Sequence, residues 1–303
     1  MNEPAPGFQP LALVKVMRPK QWIKNGLLGA ALMFSGQFLN VTAIGQTAAA
    51  VVAFSLLSST GYVLNDYLDR EADRRHPKKR FRPIAAGTLP EAVALVEMGA
   101  LLIGGVAISA WLGPWFLASA LAYLATTVSY SLWLKHIVIL DVMFLASCYV
   151  WRAVAGAAAI GVAVSPWLFL CTAFLALFIG FGKRRAELTQ LGHDLGTRKN
   201  LADYSPAVLD QYQSIVTGST VLSYSLYAVL GPTPWMTLTI PFVLYALFRY
   251  IWLVEIKGEG AAPDETFLQD VPILVTVALY ILVAVIAMLL PHGAGVPSVF
   301  GAS

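Results

Sequence analysis

Nine long apolar stretches dominate this chain of 303 residues. They lie roughly at residues 22–40, 44–64, 92–111, 114–133, 138–160, 165–182, 208–229, 234–254 and 271–290. A helix needs about 20 mostly apolar residues to cross a bilayer, and these runs lack the apolar/polar alternation of a membrane β-strand. Only 12% of the residues are charged, about half the share of a typical soluble protein. The sequence therefore predicts an all-α integral membrane protein with nine transmembrane helices, in a single polytopic domain over residues 1–303.

The positive charges are distributed unevenly along this predicted topology. Four Lys and Arg residues lie before or at the start of the first span, seven lie in the 65–90 loop and five lie in the 183–207 loop. We predict a plasma (inner) membrane protein. Its orientation follows from the rule that cytoplasmic loops carry the excess of Lys and Arg. The N-terminal segment 1–17 and both charged loops would be cytoplasmic, with the C-terminus outside. The net charge of +3 is too small to indicate a nucleic-acid partner.

The end of the second predicted span carries the acidic pattern Asn65-Asp66-x-x-Asp69-x-x-x-Asp73. On a continuous helix the three aspartates fall within about 60° of one another, with Asn65 beside them. Neighbouring carboxylates repel one another unless a cation lies among them, and oxygen ligands together with substrate phosphates suit Mg²⁺. The pattern therefore favours a catalytic Mg²⁺ site at Asn65, Asp66, Asp69 and Asp73 over a solvated charge run that merely ends a helix.

A basic stretch follows in the same loop, with the sequence His76-Pro77-Lys78-Lys79-Arg80-Phe81-Arg82. Cations beside an acidic helix face can hold phosphate oxygens that the metal does not reach. Lys79 and Arg82 are therefore candidate substrate-binding residues, whereas Mg²⁺ prefers oxygen and we interpret His76 as structural. The alternative is a loop that sets membrane orientation and binds anionic lipid headgroups.

A second basic cluster ends the sixth predicted span, where Lys183 and Arg184 are followed by Glu187. Lys183 and Glu187 are four residues apart and would share a helix face. We interpret Lys183, Arg184 and Glu187 as candidate substrate-binding residues. A stop-transfer cluster with a surface ion pair is the alternative, and for Arg185 that alternative is favoured.

Charged residues also lie within the predicted spans. Arg152 lies deep inside the fifth span, and such charges are costly and usually line a cavity. Asp141 precedes it by eleven residues, about 20° away around the helix axis and roughly 16 Å along it. Lys24 opens the first span and could extend to the interface or point into the cavity. We predict that Lys24, Asp141 and Arg152 bind substrate. Glu97, in the third span, could pair with Arg152 or could equally be a protonated residue without a role.

The order of these motifs resembles that of a known family. The aspartate pattern followed by Arg82-Pro83-Ile84-Ala85-Ala86-Gly87 is similar to the UbiA superfamily of intramembrane prenyltransferases. That resemblance implies nine helices around a central cavity open to the cytoplasm, and Mg²⁺-diphosphate binding through two Asp-rich motifs. A closer resemblance is to the decaprenyl-phosphate phosphoribosyltransferases, through Arg18-Pro19-x-Gln21-Trp22-x-Lys24-Asn25, His76-Pro77-x-Lys79-Arg80-Phe81, Lys135-His136, Arg152-Ala153-x-Ala155-Gly156, Gly182-Lys183-Arg184-x-Ala186-Glu187-Leu188 and Pro263-Asp264-Glu265 with Asp270.

The chain departs from the general superfamily at the second motif. Where a second Asp-rich motif is expected, it carries Lys183, Arg184 and only Glu187, which replaces a second metal site with a phosphate site. The closer resemblance implies the same substitution. It implies phosphoribosyl transfer from 5-phosphoribosyl 1-pyrophosphate to a polyprenyl (decaprenyl) phosphate, for the synthesis of cell-wall arabinan precursors. Arg185 stands where a tyrosine is expected.

Two other functions are weighed against this reading. One is an aromatic (quinone-pathway) prenyltransferase that uses a polyprenyl diphosphate, which a second acidic motif would have favoured. The other is a transporter or lipid-binding protein, for which broken spans near the bilayer midplane are typical, whereas the charge clusters here lie at helix ends. The expected partners are the bilayer, the phosphoribosyl donor and the polyprenyl phosphate lipid, with a homo-oligomer as a further possibility.

Overall fold

The computed structural model describes residues 8–77, 79–191, 201, 203–230, 233–258 and 263–290, and every regular element within them is helical. Short 3₁₀ helices cover Pro19–Leu28, Lys79–Phe81, Leu134–His136 and Pro234–Thr239. The α-helices are α1 (Leu11–Met17), α2 (Gly29–Phe34), α3 (Val41–Leu68), α4 (Arg70–Arg75), α5 (Glu91–Leu112), α6 (Pro114–Leu132), α7 (Leu140–Ala159), α8 (Pro166–Leu191), α9 (Pro206–Leu230), α10 (Ile240–Glu255), α11 (Pro263–Gln269) and α12 (Val271–Leu289).

Six helical segments among the described residues are long and apolar enough to cross a membrane. They are α3, α5, α6, α7, α12 and the segment Pro234–Glu255 that includes α10, and each coincides with a predicted span. The other three predicted spans fall on Pro19–Leu28 with α2, on α8 and on α9. The all-α, multi-pass character expected from the apolar runs is confirmed.

Helix α3 places the acidic pattern at the edge of the apolar layer. Asn40 caps its first turn, accepting hydrogen bonds from the backbone of Thr42 and Ala43. The helix has 28 residues, so it is about 42 Å long and exceeds the roughly 30 Å hydrocarbon core. It ends at Leu68, and Asp69 separates it from α4 with φ −90° and ψ 1°. The predicted uninterrupted helix through Asp73 therefore has a break at Asp69.

The contacts group the chain into two compact units, which are described separately. One comprises the residues up to Trp133 with Trp151–Val164, and the other comprises Leu134–Val150 with the residues from Ser165 onward. In the first unit α3 packs against α1, α5 and α6. A Cβ at Gly105 would lie 2.6 Å from the Leu57 side chain, so glycine permits the close approach of α5 to α3.

The 3₁₀ segment Pro19–Leu28 presents one regular face to the rest of the first unit. Since such a helix has three residues per turn, Trp22, Asn25 and Leu28 line up along it. Trp22 and Asn25 donate hydrogen bonds of 3.1 and 3.0 Å to serine hydroxyls of α3. Leu28 is fully buried, and a Cβ at Gly156 would lie 2.2 Å from its carbonyl oxygen. Glycine at this position therefore allows backbone-to-backbone contact.

In the second unit α8 packs against α9 and α10, and α10 packs against α12. Tyr250 of α10 is fully buried and stacks on Phe267 of α11, with ring centroids 5.1 Å apart. A Cβ at Gly182 would lie 2.9 Å from the Tyr250 ring. The absence of a side chain at Gly182 thus lets α8 approach α10 one residue before the basic cluster.

Candidate active site

Two aspartates of the acidic pattern converge on one cation in the first unit. The Arg82 Nη1 atom lies 3.1 Å from Asp66 Oδ1 and 2.6 Å from Asp73 Oδ2. Arg18 adds a second guanidinium, with Nη2 2.5 Å from Asp66 Oδ1. Both carboxylates are buried, and a buried charge is stable only when it is paired. The two arginines therefore neutralise the pair.

The arrangement fits a divalent cation. Arg82 marks a position within reach of both carboxylates, and Mg²⁺ is commonly held by one or two carboxylates together with substrate phosphates. Among the residues that the structure describes, no group of three or more acidic, His or Cys side chains could hold a metal jointly. Asp69 lies at the helix break and Asn65 one turn before it, outside the pair that Arg82 bridges.

Basic residues of α4 and of the loop after it also make contacts that do not involve the carboxylate pair. Arg70 binds Glu91 at 3.1 Å and its guanidinium stacks on the Tyr67 ring. The backbone nitrogen of Lys79 donates to His76 Nδ1 at 3.3 Å, which agrees with a structural role for that histidine. Lys79 itself is half-buried. Arg70 and His76 thus make structural contacts, whereas Arg82 contacts the carboxylate pair.

Arg152 is buried within the first unit, where two neutral side chains accept hydrogen bonds from it. Its Nε atom donates to Asn25 Oδ1 at 2.8 Å, and Nη2 donates to the Tyr123 hydroxyl at 3.1 Å. Glu97 Oε2 is buried and accepts no hydrogen bond from a described residue. Lys24 extends to Gln21, with Nζ 2.6 Å from Oε1. Asn25 belongs to a sequence motif, but the sequence gives it no role of its own. The structure shows that it positions Arg152.

The second basic cluster is built around a buried ion pair in the second unit. Arg184 Nε donates to Asp141 Oδ2 at 2.7 Å, and Nη1 donates to Glu187 Oε2 at 2.6 Å. The side chains of Arg184 and Asp141 are 2% and 0% exposed, whereas Glu187 is 15% exposed. Lys183 is half-buried beside them. Asp141 and Arg184 thus form the support of the cluster, and Glu187 and Lys183 form its accessible part.

Arg185 is engaged elsewhere in the second unit. It contacts Asp210 of α9 at 2.7 Å, Glu255 of α10 at 3.0 Å and Thr189 of α8 at 2.7 Å. Its carboxylate partners are substantially exposed. The structure therefore gives Arg185 the surface ion pairs that the stop-transfer interpretation predicts.

The amino-acid sequence is similar to proteins of one known family. A family model described as the UbiA prenyltransferase family matches residues 26–271. The chain belongs to the UbiA prenyltransferase family. It is 37% identical over 279 residues to the decaprenyl-phosphate phosphoribosyltransferase of Corynebacterium glutamicum, covering 85% of this chain and 81% of the relative. The enzyme of the same name from Mycolicibacterium smegmatis is 37% identical over 278 residues, covering 85% and 86%.

Solved structures agree with this UbiA assignment at the level of fold. A UbiA homologue from Archaeoglobus fulgidus bound to GPP and Mg²⁺ superimposes with a TM-score of 0.72 at 18% identity, covering 91% of this chain and 99% of that chain. The same homologue bound to DMAPP and Mg²⁺ gives a TM-score of 0.71. The resemblance stated from the motifs is therefore confirmed.

Three residues of this UbiA protein contact candidate site residues without having been selected as candidates from the sequence. Arg18 pairs with Asp66, Tyr123 contacts Arg152 and Tyr204 donates to Asp141. The sequence could have indicated Arg18, since this residue begins the motif before the first span. No sequence motif includes either tyrosine. Lys78, Arg198 and Lys199 of the two basic loops, and the side chains of Asp264 and Glu265, lie outside the described residues.

The last acidic residue of the motif set, Asp270, has a structural role. Asp270 caps the first turn of α12, accepting from the Ile273 nitrogen at 2.9 Å. Arg249 Nη2 also donates to it at 2.8 Å. The hydrogen bonds from Arg249 are the main reason that the pKa of Asp270 lies below its usual value, so the carboxylate stays ionised and anchors α12 to α10.

Proposed function

We propose that this protein transfers a 5-phosphoribosyl group from 5-phosphoribosyl 1-pyrophosphate to a polyprenyl (decaprenyl) phosphate. The products are 5-phosphoribosyl-1-phosphoryl polyprenol and pyrophosphate, and the lipid product serves as a precursor of cell-wall arabinan. The carrying observation is the 37% identity, over most of the chain, to enzymes named decaprenyl-phosphate phosphoribosyltransferases. The basic second motif, with Arg184 buried against Asp141, supports a donor that carries a further phosphate.

In the proposed mechanism Asp66 and Asp73 would hold Mg²⁺, with Asn65 and Asp69 as further ligands. The metal ion would neutralise the charge that develops on the leaving pyrophosphate. Arg82 lies beside this carboxylate pair at 2.6 Å from Asp73 and can contact phosphate oxygens that the metal does not reach.

The bond changes require little proton transfer. An oxygen of the acceptor phosphate attacks the anomeric carbon of the ribose, and the bond from that carbon to pyrophosphate breaks with its electron pair leaving on oxygen. The transition state resembles the oxocarbenium ion of glycoside chemistry. Because the acceptor is ionised at neutral pH, no general base is needed, and the side chains position and stabilise the charges. Lys24, Lys79, Arg152, Lys183, Arg184 and Glu187 are the proposed substrate-binding residues, and Asp141 acts through Arg184.

A direct assay tests this proposal. Membranes containing the protein are incubated with 5-phosphoribosyl 1-pyrophosphate labelled in the ribose, Mg²⁺ and decaprenyl phosphate. Appearance of label in the organic phase is expected, and membranes carrying Asp73→Asn serve as the control. Label that stays in the aqueous phase, with product formed instead from a polyprenyl diphosphate and an aromatic acceptor, would establish the rival prenyltransferase activity.

The basic second motif gives a prediction about donor binding. Removing one partner of a desolvated charge pair typically costs about 2–5 kcal/mol, so Lys183→Ala is expected to lower kcat/KM for 5-phosphoribosyl 1-pyrophosphate by roughly 30-fold or more. The preference for isoprenoid chain length should be unaffected, because apolar contacts set it. Glu187→Gln separates two roles: a metal ligand changes the Mg²⁺ dependence, whereas a partner of the basic residues does not. If Lys183→Ala leaves the donor kinetics unchanged, the phosphate-site hypothesis is wrong and the stop-transfer alternative applies to this cluster.

The proposed orientation gives a second prediction. Nine helices around a cavity open to the cytoplasm would place the N-terminus and the charged loops 65–90 and 183–207 in the cytoplasm. A reporter fused after Ser303 is expected to read as extracytoplasmic, and one inserted near Gly196 as cytoplasmic; both positions lie outside the described residues. Reporters on the same side would contradict the nine-helix topology.

A further inference from the structure

The turn that leads into α7 is strained. Ile139 has φ 69°, in the left-handed region that β-branched side chains rarely enter. The Leu140 nitrogen donates to the Val138 carbonyl at 2.8 Å, which makes Ile139 the centre of a three-residue γ-turn. The form with positive φ is rare and strained. Backbone strain persists only where the surrounding structure holds it, and it is concentrated at functional sites.

The hydroxyl group of Tyr204 holds this turn. The Ile139 nitrogen donates to it at 2.7 Å, and the hydroxyl donates in turn to Asp141 Oδ1 at 3.0 Å. Tyr204 is only 5% exposed, and chiefly this burial raises the pKa of its hydroxyl to about 12. The group therefore keeps its proton at neutral pH and remains a donor to the carboxylate.

Asp141 transmits the constraint to α8. Its Oδ1 atom also accepts from the Val142 nitrogen at 2.8 Å, and Oδ2 accepts from Arg184 Nε at 2.7 Å. With both oxygens engaged, the carboxylate cannot rotate without breaking a hydrogen bond. Arg184 Nη1 then reaches Glu187 Oε2 at 2.6 Å. The relay runs from a strained backbone turn to the partly exposed Glu187, through groups that are almost completely buried.

We propose that Tyr204 is a positioning residue of the substrate-phosphate site. By orienting Asp141, its hydroxyl fixes the conformation of Arg184 and, through it, the carboxylate of Glu187. Tyr204 acts only through these residues and does not itself contact substrate. The inference rests on the proposed function, in which Lys183, Arg184 and Glu187 bind the donor.

Tyr204→Phe removes the hydroxyl and keeps the ring. Loss of a hydrogen bond to a charged group is expected to raise KM for 5-phosphoribosyl 1-pyrophosphate about tenfold, while kcat changes less than about twofold. The matched control is Tyr212→Phe, since the Tyr212 ring packs on Phe181 of the same core with centroids 5.2 Å apart. That control is expected to leave both constants unchanged. A fall in kcat at constant KM in Tyr204→Phe would overturn the proposal.

A double-mutant cycle with Glu187→Gln distinguishes a positioning role of Tyr204 from a role in packing. In a Glu187→Gln background, Tyr204→Phe is expected to add little further increase in KM, because residues of one network are not additive. Fully additive effects, with a lower thermal unfolding midpoint in Tyr204→Phe than in the unmodified protein, would assign Tyr204 to packing alone and overturn the proposal.

Calorimetric titration of the full chain in detergent with ribose 5-phosphate, which carries the further phosphate of the donor, measures binding at the second cluster without turnover. Tyr204→Phe is expected to weaken this binding about tenfold, and equal affinities in Tyr204→Phe and the unmodified protein would overturn the positioning role. If the unmodified protein binds ribose 5-phosphate but transfers no ribose label, the proposed function fails, and the affinity comparison still decides the role of Tyr204.

Discussion

Replacing Asp73 with asparagine is expected to lower phosphoribosyl transfer by about three orders of magnitude. A metal ion contributes several kcal/mol of charge stabilisation in the transition state, and each 1.4 kcal/mol corresponds to about a tenfold change in rate. Asparagine keeps the shape of the side chain and an acceptor for Arg82, which lies 2.6 Å away, so the fold should be retained. Asp66→Asn is expected to behave in the same way. Initial rates measured over a range of Mg²⁺ concentrations test both variants.

Arg70→Ala provides the control for these variants. Arg70 lies between the two aspartates in sequence, but it binds Glu91 and stacks on Tyr67. Its removal is expected to change the rate only a few-fold, because a partly exposed ion pair contributes about 1 kcal/mol or less. Electron paramagnetic resonance of bound Mn²⁺ gives a second readout. Equal losses in Asp66→Asn, Asp73→Asn and Arg70→Ala, with unchanged Mn²⁺ binding, would contradict a metal site at the carboxylate pair.

Arg184→Met is expected to destabilise the protein by about 3–5 kcal/mol, since breaking a buried ion pair leaves an uncompensated charge. The charge left behind is Asp141, which is 0% exposed and lies 2.7 Å from Arg184. Adding Asp141→Leu should recover much of the lost stability, because apolar residues can replace a whole buried pair. Activity should stay low in both variants. Unfolding midpoints of the detergent-solubilised protein measure the first effect, and the transfer assay measures the second.

The neighbouring arginine supplies a matched comparison. Arg185→Met removes two ion pairs, but the Asp210 and Glu255 side chains are 49% and 32% exposed. Exposed pairs contribute roughly 0–1 kcal/mol each, so the midpoint should change far less than in Arg184→Met. Equal destabilisation by the two substitutions would show that the Asp141–Arg184 pair is not the support of the second cluster.

The sequence predicts the helices well because apolar length is a local property. The positions of α3, α5, α6, α7 and α12 follow from runs of about 20 residues, and the helical spacing of Asp66 and Asp73 anticipates that they face one cation. The break at Asp69 is not predicted, since a periodic pattern does not report the backbone angles of one residue.

The partners of the charged residues could not be predicted, because they are distant in sequence. Arg18 lies 48 positions from Asp66, and Asn25 lies 127 positions from Arg152. Tyr204 likewise contacts Asp141 across 63 positions. Helical periodicity relates residues within a few turns, so it can propose Lys183 with Glu187 but not the hydroxyl that orients Asp141.

The 3₁₀ backbone of the first predicted span makes this segment longer than an α-helix of the same number of residues. Pro19–Leu28 has ten residues and α2 has six. At about 2.0 Å per residue in a 3₁₀ helix and 1.5 Å in an α-helix, they extend about 29 Å end to end, close to the thickness of the hydrocarbon core. The same residues in a wholly α-helical form would extend only about 24 Å. In the proposed nine-helix topology this stretched segment would match the bilayer with fewer residues than an α-helix needs, and a relaxation to α-helix would create a hydrophobic mismatch that draws Arg18 toward the lipid.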